Sequence, residues 1–189
     1  MERVSPHHLE IIPLGPDLDL CPVQPDHAAE LYALVEQNRT RLREWLPWIG
    51  PDYSLSDAAR FAALSESDNQ RRVSLTSVIR VHGHLAGAIG LHRINYAHRS
   101  TSIGYWLAAS HNGRGIMTAA CRAMVTHGFI AYGLHRIEIR CATGNVRSAA
   151  IPQRLGFHEE GVMQEAEWLY DHWVDLRVFS MLEQNWTAR

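Results

Sequence analysis

Long apolar runs are missing from this sequence, and none approaches the roughly 18 residues that a membrane-spanning helix needs. We therefore expect no membrane partner. The stretch MERVSPHHLEIIPLG has no basic segment followed by a long apolar one, so no secretory signal is expected. The net charge is only −2, which gives no electrostatic reason to bind nucleic acid.

Cysteine is also scarce. Cys21, Cys121 and Cys141 are an odd number and have no metal-ligand spacing. This pattern argues against a disulfide framework and predicts buried thiols in a reducing cytoplasm. Histidines are more numerous, and His82 and His84 are spaced to share a strand face, but no cysteine or carboxylate joins them at metal-ligand spacing. No metal site is therefore predicted.

The composition that remains is that of an ordinary folded protein. Hydrophobic residues make up 46% of the chain and charged residues 20%. A chain of 189 residues suffices for one compact α/β domain, and no repeat, low-complexity tract or linker interrupts it. The sequence thus predicts a single domain over residues 1–189.

Hydrophobic periodicity predicts a mixed order of helices and strands. The stretch LEIIPL is typical of a first strand, and one long helix is predicted over 25–45. The further predictions are helices over 54–70, from 115 onward and over 145–156, with strands over 72–81, 84–95, 100–108, 134–143, 158–170 and 172–184. Tight turns join the strands within each of two pairs, at His82–Gly83 and around Asp171. The predicted fold is α/β with a largely antiparallel sheet flanked by helices.

The stretch SHNGRGIMTAACRAMVTHGF, residues 110–129, places two glycines directly before an amphipathic helix. Gly113 and Gly115 remove side chains from the helix N-terminus, where unpaired N–H groups collect, and Arg114 adds positive charge. This pattern favours a cradle for a phosphate or pyrophosphate. It is neither a P-loop nor a dinucleotide fingerprint, because the third glycine position holds Thr118. An ordinary turn before a helix is the competing interpretation.

Three further segments decide between these interpretations: GYWL (104–107), GNVRSAAIPQRLGFHEEG (144–161) and LREWLPW (42–48). Together with the glycine loop, they resemble the GNAT superfamily of acetyl-CoA-dependent N-acetyltransferases over essentially the whole chain. Within it, the chain is similar to the RimJ/RimL branch, which acetylates the N-termini of ribosomal proteins. The resemblance implies the GNAT fold, acetyl-CoA as co-substrate and a homodimer.

The resemblance also implies which residues bind the co-substrate. The family loop reads Q/R-x-x-G-x-G/A, so Ser110 stands where a Gln or Arg is usual, and one polar contact is in doubt. The backbone N–H groups of the loop would bind the pyrophosphate: Gly113, Arg114, Gly115, Ile116, Met117 and Thr118. The strand over 104–107 would splay from the strand over 136–142. Tyr105, Trp106 and Leu107 would then offer free backbone groups to the pantetheine arm, although core packing explains Trp106 equally well.

Asn145 and Ser148 begin the helix that follows. Asn145 is a good N-cap, and the resemblance adds a contact to the pantetheine arm. By the same resemblance, Ser148 lies near the thioester sulfur and supplies a proton to the leaving thiolate. A first-turn serine that bonds only to local backbone is the alternative. Pro152 lies inside this helix and cannot donate to the Ser148 carbonyl, for which the sequence offers no functional account.

Acetyl transfer to an amine also needs a base, because only the neutral amine attacks. An α-amine with a pKa of about 8 is neutral on the order of a tenth of the time at pH 7, so a modest base suffices. The resemblance identifies Glu167, in the stretch QEAE, as the general base, with Glu165 on the same strand face as the reserve. A solvated strand glutamate is the alternative interpretation.

The predicted reaction is direct acetyl transfer from acetyl-CoA to a protein N-terminus. A cysteine nucleophile lacks support, because neither Cys121 nor Cys141 has an evident histidine partner in sequence. The alternatives are acetylation of a small amine, such as an aminoacyl-nucleotide, a polyamine or an antibiotic, and a catalytically silent acetyl-CoA-binding module. Trp45 and Trp48 would line the acceptor groove in this family, or form an aromatic plug against the sheet.

Overall fold

The computed structural model describes residues 10–187. Strands and helices follow one another in the order expected for a mixed fold. The strands are β1 (Ile12–Gly15), β2 (Leu18–Pro22), β3 (Leu75–Val81), β4 (His84–Asn95), β5 (Ser100–Leu107), β6 (Arg136–Ala142), β7 (His158–Leu169) and β8 (His172–Leu182). The helices are α1 (Ala28–Gln37), α2 (Arg39–Arg43), α3 (Leu55–Gln70), α4 (Ile116–Tyr132) and α5 (Val146–Arg154).

All eight strands belong to one sheet, in the order β1-β2-β3-β4-β5-β6-β8-β7. Neighbouring strands are antiparallel except β5 and β6, which run parallel. Helix α4 makes the crossover between those two strands, as a parallel connection requires. The predicted largely antiparallel sheet is confirmed, and so is the tight turn after β3, where His82 and Gly83 both have positive φ.

Helices cover both faces of the sheet. Ile79 packs in the larger core with the buried stripe of α4, whereas the adjacent Val78 packs in a second core with α1 and α3. This alternation is the period of a strand that is buried on both sides. The stripe predicted for α4 is buried as expected: Met117, Ala120, Cys121, Met124, Val125 and Gly128.

Two sequence predictions were wrong in detail. The helix predicted over 25–45 is broken at Asn38, whose backbone leaves the helical range and whose amide donates to the Leu34 carbonyl at 2.8 Å. The single opening strand is instead a hairpin, because Leu18–Pro22 forms β2. Leu9, the first residue of the predicted strand, lies outside the described residues.

Within residues 10–187, none of the helices is both long enough and apolar enough to cross a bilayer.

Candidate active site

The glycine loop and the first turn of α4 form an open cradle. Gly113 and Gly115 have φ values of +75° and +74°, a left-handed conformation that glycine adopts at little cost. A Cβ on either glycine would meet nothing within 4 Å, so both glycines border empty space rather than packed protein. Arg114 between them is exposed, as is Ser110 upstream. Free N–H groups, positive charge and room for a ligand together suit an anion.

The parallel ladder between β5 and β6 is short. It runs from the pair Ser100–Arg136 to the pair Ile103–Ile139, after which residues 104–107 pair only with β4. The two strands therefore separate after this pair, as the family resemblance implies. Beside this opening lies a cleft of about 1160 Å³, lined by all three residues predicted for the pantetheine arm (Tyr105, Trp106 and Leu107) and by the cradle residues Gly113, Gly115, Ile116, Met117 and Thr118.

Leu107 differs from the prediction in one respect. Its carbonyl is not free, because Nη2 of Arg41 donates to it from α2. The expected free backbone groups are thus confined to the residues before it. Trp106 combines the two roles that the sequence left open, since it packs against the second core and also lines the cleft.

Arg41 is the cleft residue that sequence reasoning missed. Among the described residues, its Nε and the Nδ1 of His111 are buried without a hydrogen-bond partner, and both side chains line the cleft. Desolvation, together with the nearby charge of Arg147, lowers the pKa of Arg41. The Nε–H of Arg41 is a buried donor that lacks a protein acceptor, which is costly, so Arg41 too indicates an anionic ligand. No local sequence motif predicts this role for Arg41, because its partner, the Leu107 carbonyl, lies 66 positions further along the chain.

The N-terminus of α5 closes the other side of the opening. Oδ1 of Asn145 accepts a hydrogen bond from the Ser148 N–H at 3.1 Å, which confirms the predicted N-cap. The Tyr105 hydroxyl donates to the Ser148 carbonyl at 3.0 Å, and the Ser148 hydroxyl donates to Tyr105 Oη at 3.2 Å. Burial raises the pKa of Tyr105 far above its ordinary value, so the phenol stays protonated.

A second cavity, of about 850 Å³, lies against the first. Both are lined by the splayed strand, the start of α5 and the segment after α2, through the shared residues Trp45, Leu46, Tyr105, Trp106, Asn145 and Ser148. The second cavity is rich in aromatic side chains: Trp45, Trp48, Tyr53, Phe61 and Trp106. Charged side chains from several elements also face it: Asp52, Asp57, Arg60, Arg140 and Glu167. Such a cavity suits an acceptor that carries both apolar and polar groups.

Glu167 lines the second cavity, and burial raises its pKa above the ordinary value of a glutamate. A carboxyl with a raised pKa is a better proton acceptor once it is ionised. Glu167 and Ser148 come from different elements, β7 and α5, yet border one space. The two residues to which the family resemblance gives proton-transfer roles therefore line the same cavity.

The prediction that Glu165 shares a strand face with Glu167 was wrong. The register of β7 shifts between Met163 and Glu167, which pair with Leu176 and Val174 respectively, so two extra residues bulge from β7. Glu165 lies in this bulge with φ +45°, and its N–H is held by Asp175 Oδ1 at 2.8 Å. Period-two geometry does not continue through a bulge. Glu165 is exposed and is absent from the lining of both cavities.

The β7–β8 turn is tied to the segment between α2 and α3. The Tyr170 hydroxyl contacts the carbonyls of Leu46 and Ile49, at 3.1 Å for Ile49. The guanidinium of Arg43 lies 4.3 Å from the centre of the Tyr170 ring. These contacts hold the loop that carries Trp45 and Trp48 against the hairpin that carries Glu167.

The histidines and cysteines of the described residues form neither a metal cluster nor a disulfide. His82 Nδ1 lies 3.4 Å from Asp17 Oδ2, and among residues 10–187 no group of three or more His, Cys, Asp or Glu side chains is arranged to hold a metal ion. The three cysteines are free and buried. Burial raises the pKa of Cys121 to about 12, so this thiol is a poor nucleophile.

Comparison with known proteins points the same way. The sequence model of the family described as "Acetyltransferase (GNAT) domain" matches residues 17–158. The ribosomal-protein-serine acetyltransferase of Escherichia coli is 31% identical over 92% of this chain and 97% of its own length. The solved structure of RimL, the ribosomal L7/L12 alpha-N-protein acetyltransferase in complex with coenzyme A, has a TM-score of 0.88 and 28% identity, covering 92% of this chain and 98% of that one. The microcin C7 self-immunity acetyltransferase MccE in complex with acetyl-CoA and AMP has a TM-score of 0.84 and 30% identity, covering 89% and 94% of the two chains.

Proposed function

Because the chain belongs to the acetyltransferase (GNAT) family, we propose that it transfers the acetyl group of acetyl-CoA to the N-terminal α-amine of a ribosomal protein. The observation that carries this proposal is the junction of an anion cradle and an acceptor cavity at Tyr105 and Ser148. The similarity to the ribosomal-protein-serine acetyltransferase of Escherichia coli supports the choice of acceptor.

The co-substrate fits the residues present. The N–H groups from Gly113 to Thr118 would bind the pyrophosphate, aided by the charge of Arg114 and by the buried, unpartnered Nε of Arg41. Asn145 and the strand residues Tyr105, Trp106 and Leu107 would border the pantetheine arm. Ile116 and Met117 have buried side chains, so they contribute through their backbone.

The catalytic roles follow from the chemistry of each side chain. The amine nitrogen attacks the thioester carbonyl, the carbon–sulfur bond breaks, and no covalent enzyme intermediate forms. Glu167 would take the amine proton, directly or through a water. Of the cavity carboxylates whose pKa is shifted, Glu167 is the one whose pKa is raised, which makes it the stronger base. Ser148 would give its proton to the leaving thiolate, supported by the buried side chain of Tyr105. It would then regain a proton from Glu167 through solvent, so that the amine proton ends on coenzyme A.

A second acceptor class is favoured by one observation. Trp48 and Phe61 line the acceptor cavity with 46% and 42% of their surfaces exposed, so their rings are available for stacking. Aromatic rings of this kind bind nucleobases by stacking. The solved structure of MccE was obtained with AMP. An aminoacyl-nucleotide is therefore the second candidate acceptor, ahead of polyamines and antibiotics. A catalytically silent module is disfavoured because both Glu167 and Ser148 border the cavity.

The deciding experiment measures free coenzyme A released with a panel of acceptors. Peptides with free N-terminal α-amines should react faster than N-blocked peptides that carry only lysine, since the lysine amine is almost wholly protonated at pH 7. Faster turnover of an aminoacyl-nucleotide than of any peptide would favour the second candidate. Absence of release with every amine, despite acetyl-CoA binding, would favour a silent module.

Three further proposals rest on the family resemblance and on composition. We propose one acetyltransferase domain over residues 1–189, a homodimer, and a cytoplasmic location in which the three thiols stay reduced. Neither nucleic acid nor a membrane is proposed as a partner. Sedimentation velocity tests the assembly, because a homodimer should give a molecular mass twice the 21.4 kDa of the chain. A single monomeric species at micromolar concentration would contradict it.

A further inference from the structure

Pro152 creates an unusual acceptor inside α5. In a regular helix, the N–H of residue 152 would donate to the carbonyl of Ser148, four residues earlier. Proline has no N–H, so that helical bond is missing. The Tyr105 hydroxyl, reaching across from β5, donates to this carbonyl at 3.0 Å and replaces the missing donor.

The replacement fixes the direction of a second hydrogen bond. A phenol has one proton, and a carbonyl only accepts, so the Tyr105 proton is committed to the Ser148 carbonyl. Towards the Ser148 hydroxyl, 3.2 Å away, Tyr105 Oη therefore acts as the acceptor. The Ser148 proton has a defined direction before any substrate reacts. Burial raises the pKa of Tyr105, which keeps the phenol proton in place throughout the neutral range.

We infer that Tyr105 is a positioning residue that holds the Ser148 hydroxyl ready to donate, and that Pro152 is what commits the Tyr105 proton to the Ser148 carbonyl. This inference rests on the proposed function, in which Ser148 gives its proton to the leaving thiolate. When the carbon–sulfur bond breaks, Ser148 turns its proton from Tyr105 Oη to the sulfur. Tyr105 Oη then no longer accepts a hydrogen bond from Ser148, but its hydroxyl still donates to the Ser148 carbonyl, so no buried donor is left unsatisfied.

The energetic balance favours this exchange. Ser148 gives up a neutral hydrogen bond and gains one to a charged sulfur, and charge-assisted bonds are roughly twice as strong as neutral ones. Without Pro152, an N–H at position 152 would compete with Tyr105 for the Ser148 carbonyl and weaken the bond that commits the phenol proton. Tyr105 would then donate more often to Ser148 Oγ, which reverses the resting bond and leaves the Ser148 proton without its fixed partner.

A double-mutant cycle on kcat tests the inference. Tyr105→Phe should lower kcat about tenfold, with little change in KM for acetyl-CoA, because it removes orientation and leaves the ring in place. In a Ser148→Ala background, Tyr105→Phe should have no further effect, since nothing remains to orient. Pro152→Ala should lower kcat in the wild type but not in the Tyr105→Phe background. Tyr96→Phe is the matched control, because it too removes a hydroxyl that donates to a backbone carbonyl, that of Arg72, and Tyr96 lines neither cavity.

A second measurement reports the hydrogen bonds without turnover. The Raman doublet of tyrosine reports whether a phenol oxygen donates or accepts, and the difference between wild type and Tyr105→Phe isolates this ring among the six tyrosines. Pro152→Ala should shift the Tyr105 signal, because the phenol proton changes partner. An inactive wild type would refute the proposed function, yet the Raman shift would still decide the hydrogen-bond arrangement.

Two results would overturn the inference. One is an equal loss of kcat from Tyr105→Phe in the wild-type and Ser148→Ala backgrounds, which would mean that Tyr105 does not act through Ser148. The other is a Tyr105 Raman signal that does not change in Pro152→Ala. If Tyr105→Phe fails to fold, the kcat of Pro152→Ala and the Raman difference between wild type and Pro152→Ala carry the decision.

Discussion

Glu167 on β7 and Ser148 on α5 line the same cavity of about 850 Å³, although the bulge in β7 moves the neighbouring Glu165 out of register. Two side chains with proposed roles in proton transfer thus border the acceptor cavity. Their proposed roles differ, and so do the pH dependences expected when each is lost.

Replacing Glu167 should slow turnover in a way that alkaline pH partly restores. Glu167→Gln removes the base, so kcat/KM at neutral pH should fall by about 10²–10⁴. As the pH rises past the α-amine pKa of about 8, more amine is neutral without help and the deficit should shrink. Glu165→Gln is the control and should stay near wild type. A pH profile of kcat/KM for both variants decides, and a larger loss in Glu165→Gln would reassign the base.

The pH profile of kcat/KM for the wild type should show the ionisation of Glu167 itself. A general base works only when ionised, so the acid limb should fall as the pH drops through the pKa of Glu167. Burial raises this pKa, which places the limb closer to neutral than an exposed glutamate would. The limb should be missing from Glu167→Gln, and its persistence there would assign it to another group.

The rate that is lost with Ser148 should not be restored at alkaline pH. Ser148→Ala leaves the thiolate without a donor, and neutral amine does not remedy that deficit. We expect the rate to fall about 10²-fold or more at every pH, with acetyl-CoA affinity, measured by calorimetry, close to wild type. A loss of only a few-fold would mean that transfer relies on proximity and on polarisation of the thioester carbonyl.

A side chain at Gly115 should block the cradle. Gly115→Val places a Cβ at φ +74°, in the space where the pyrophosphate is proposed to lie, so acetyl-CoA affinity should fall more than tenfold by calorimetry. Gly133→Val at the other end of α4 is the matched control, with φ +59° and equally open surroundings. Both variants carry a strain of about 1–2 kcal/mol, so only the binding should separate them. Equal affinity in the two would refute the cradle.

Acid should weaken the fold through Glu160. Hydrogen bonds from Arg136 and Ser180 lower the pKa of Glu160 to about 2, below the unfolded value of about 4.3. Ionised Glu160 therefore stabilises the fold above that unfolded value, and the contribution is lost as the pH falls towards about 2. Its side chain is 36% exposed, so salt should weaken the effect.

Urea unfolding between pH 6 and pH 2 measures this contribution. Glu160→Gln should flatten the decline in stability in that range. Glu183→Gln, which removes an exposed ion pair with Arg99, is the control and should leave the decline unchanged. Identical slopes in Glu160→Gln and wild type would exclude Glu160 as the source.

Local patterns predicted much of this architecture. The stripe on α4, the N-cap Asn145 and the turn at His82–Gly83 depend on neighbours within a few positions, and all three are confirmed. The family branch and the site residues were predicted from the order and spacing of motifs that resemble the family, and not from periodicity.

What could not be predicted depends on distant contacts. The break at Asn38 depends partly on Ala109, whose N–H donates to the Asn38 side chain across 71 positions. The β7 bulge is set by the partner strand, where Asp175 holds the Glu165 N–H. Arg41 becomes part of the site only because α2 packs at the end of β5. Such contacts leave no periodic trace in the sequence.

The short parallel ladder between β5 and β6 has a consequence for the order of assembly. Four antiparallel pairs, β1–β2, β3–β4, β4–β5 and β7–β8, join strands that are only a few residues apart in the chain, so these contacts close short loops. Joining β5 to β6 must wait for the crossover through α4, and such non-local closure is intrinsically slow. The cradle, the cleft and the acceptor cavity all lie beside that junction. The binding sites therefore form only after this non-local step of folding, and a ligand that spans the junction would favour the completed chain over any partly folded form.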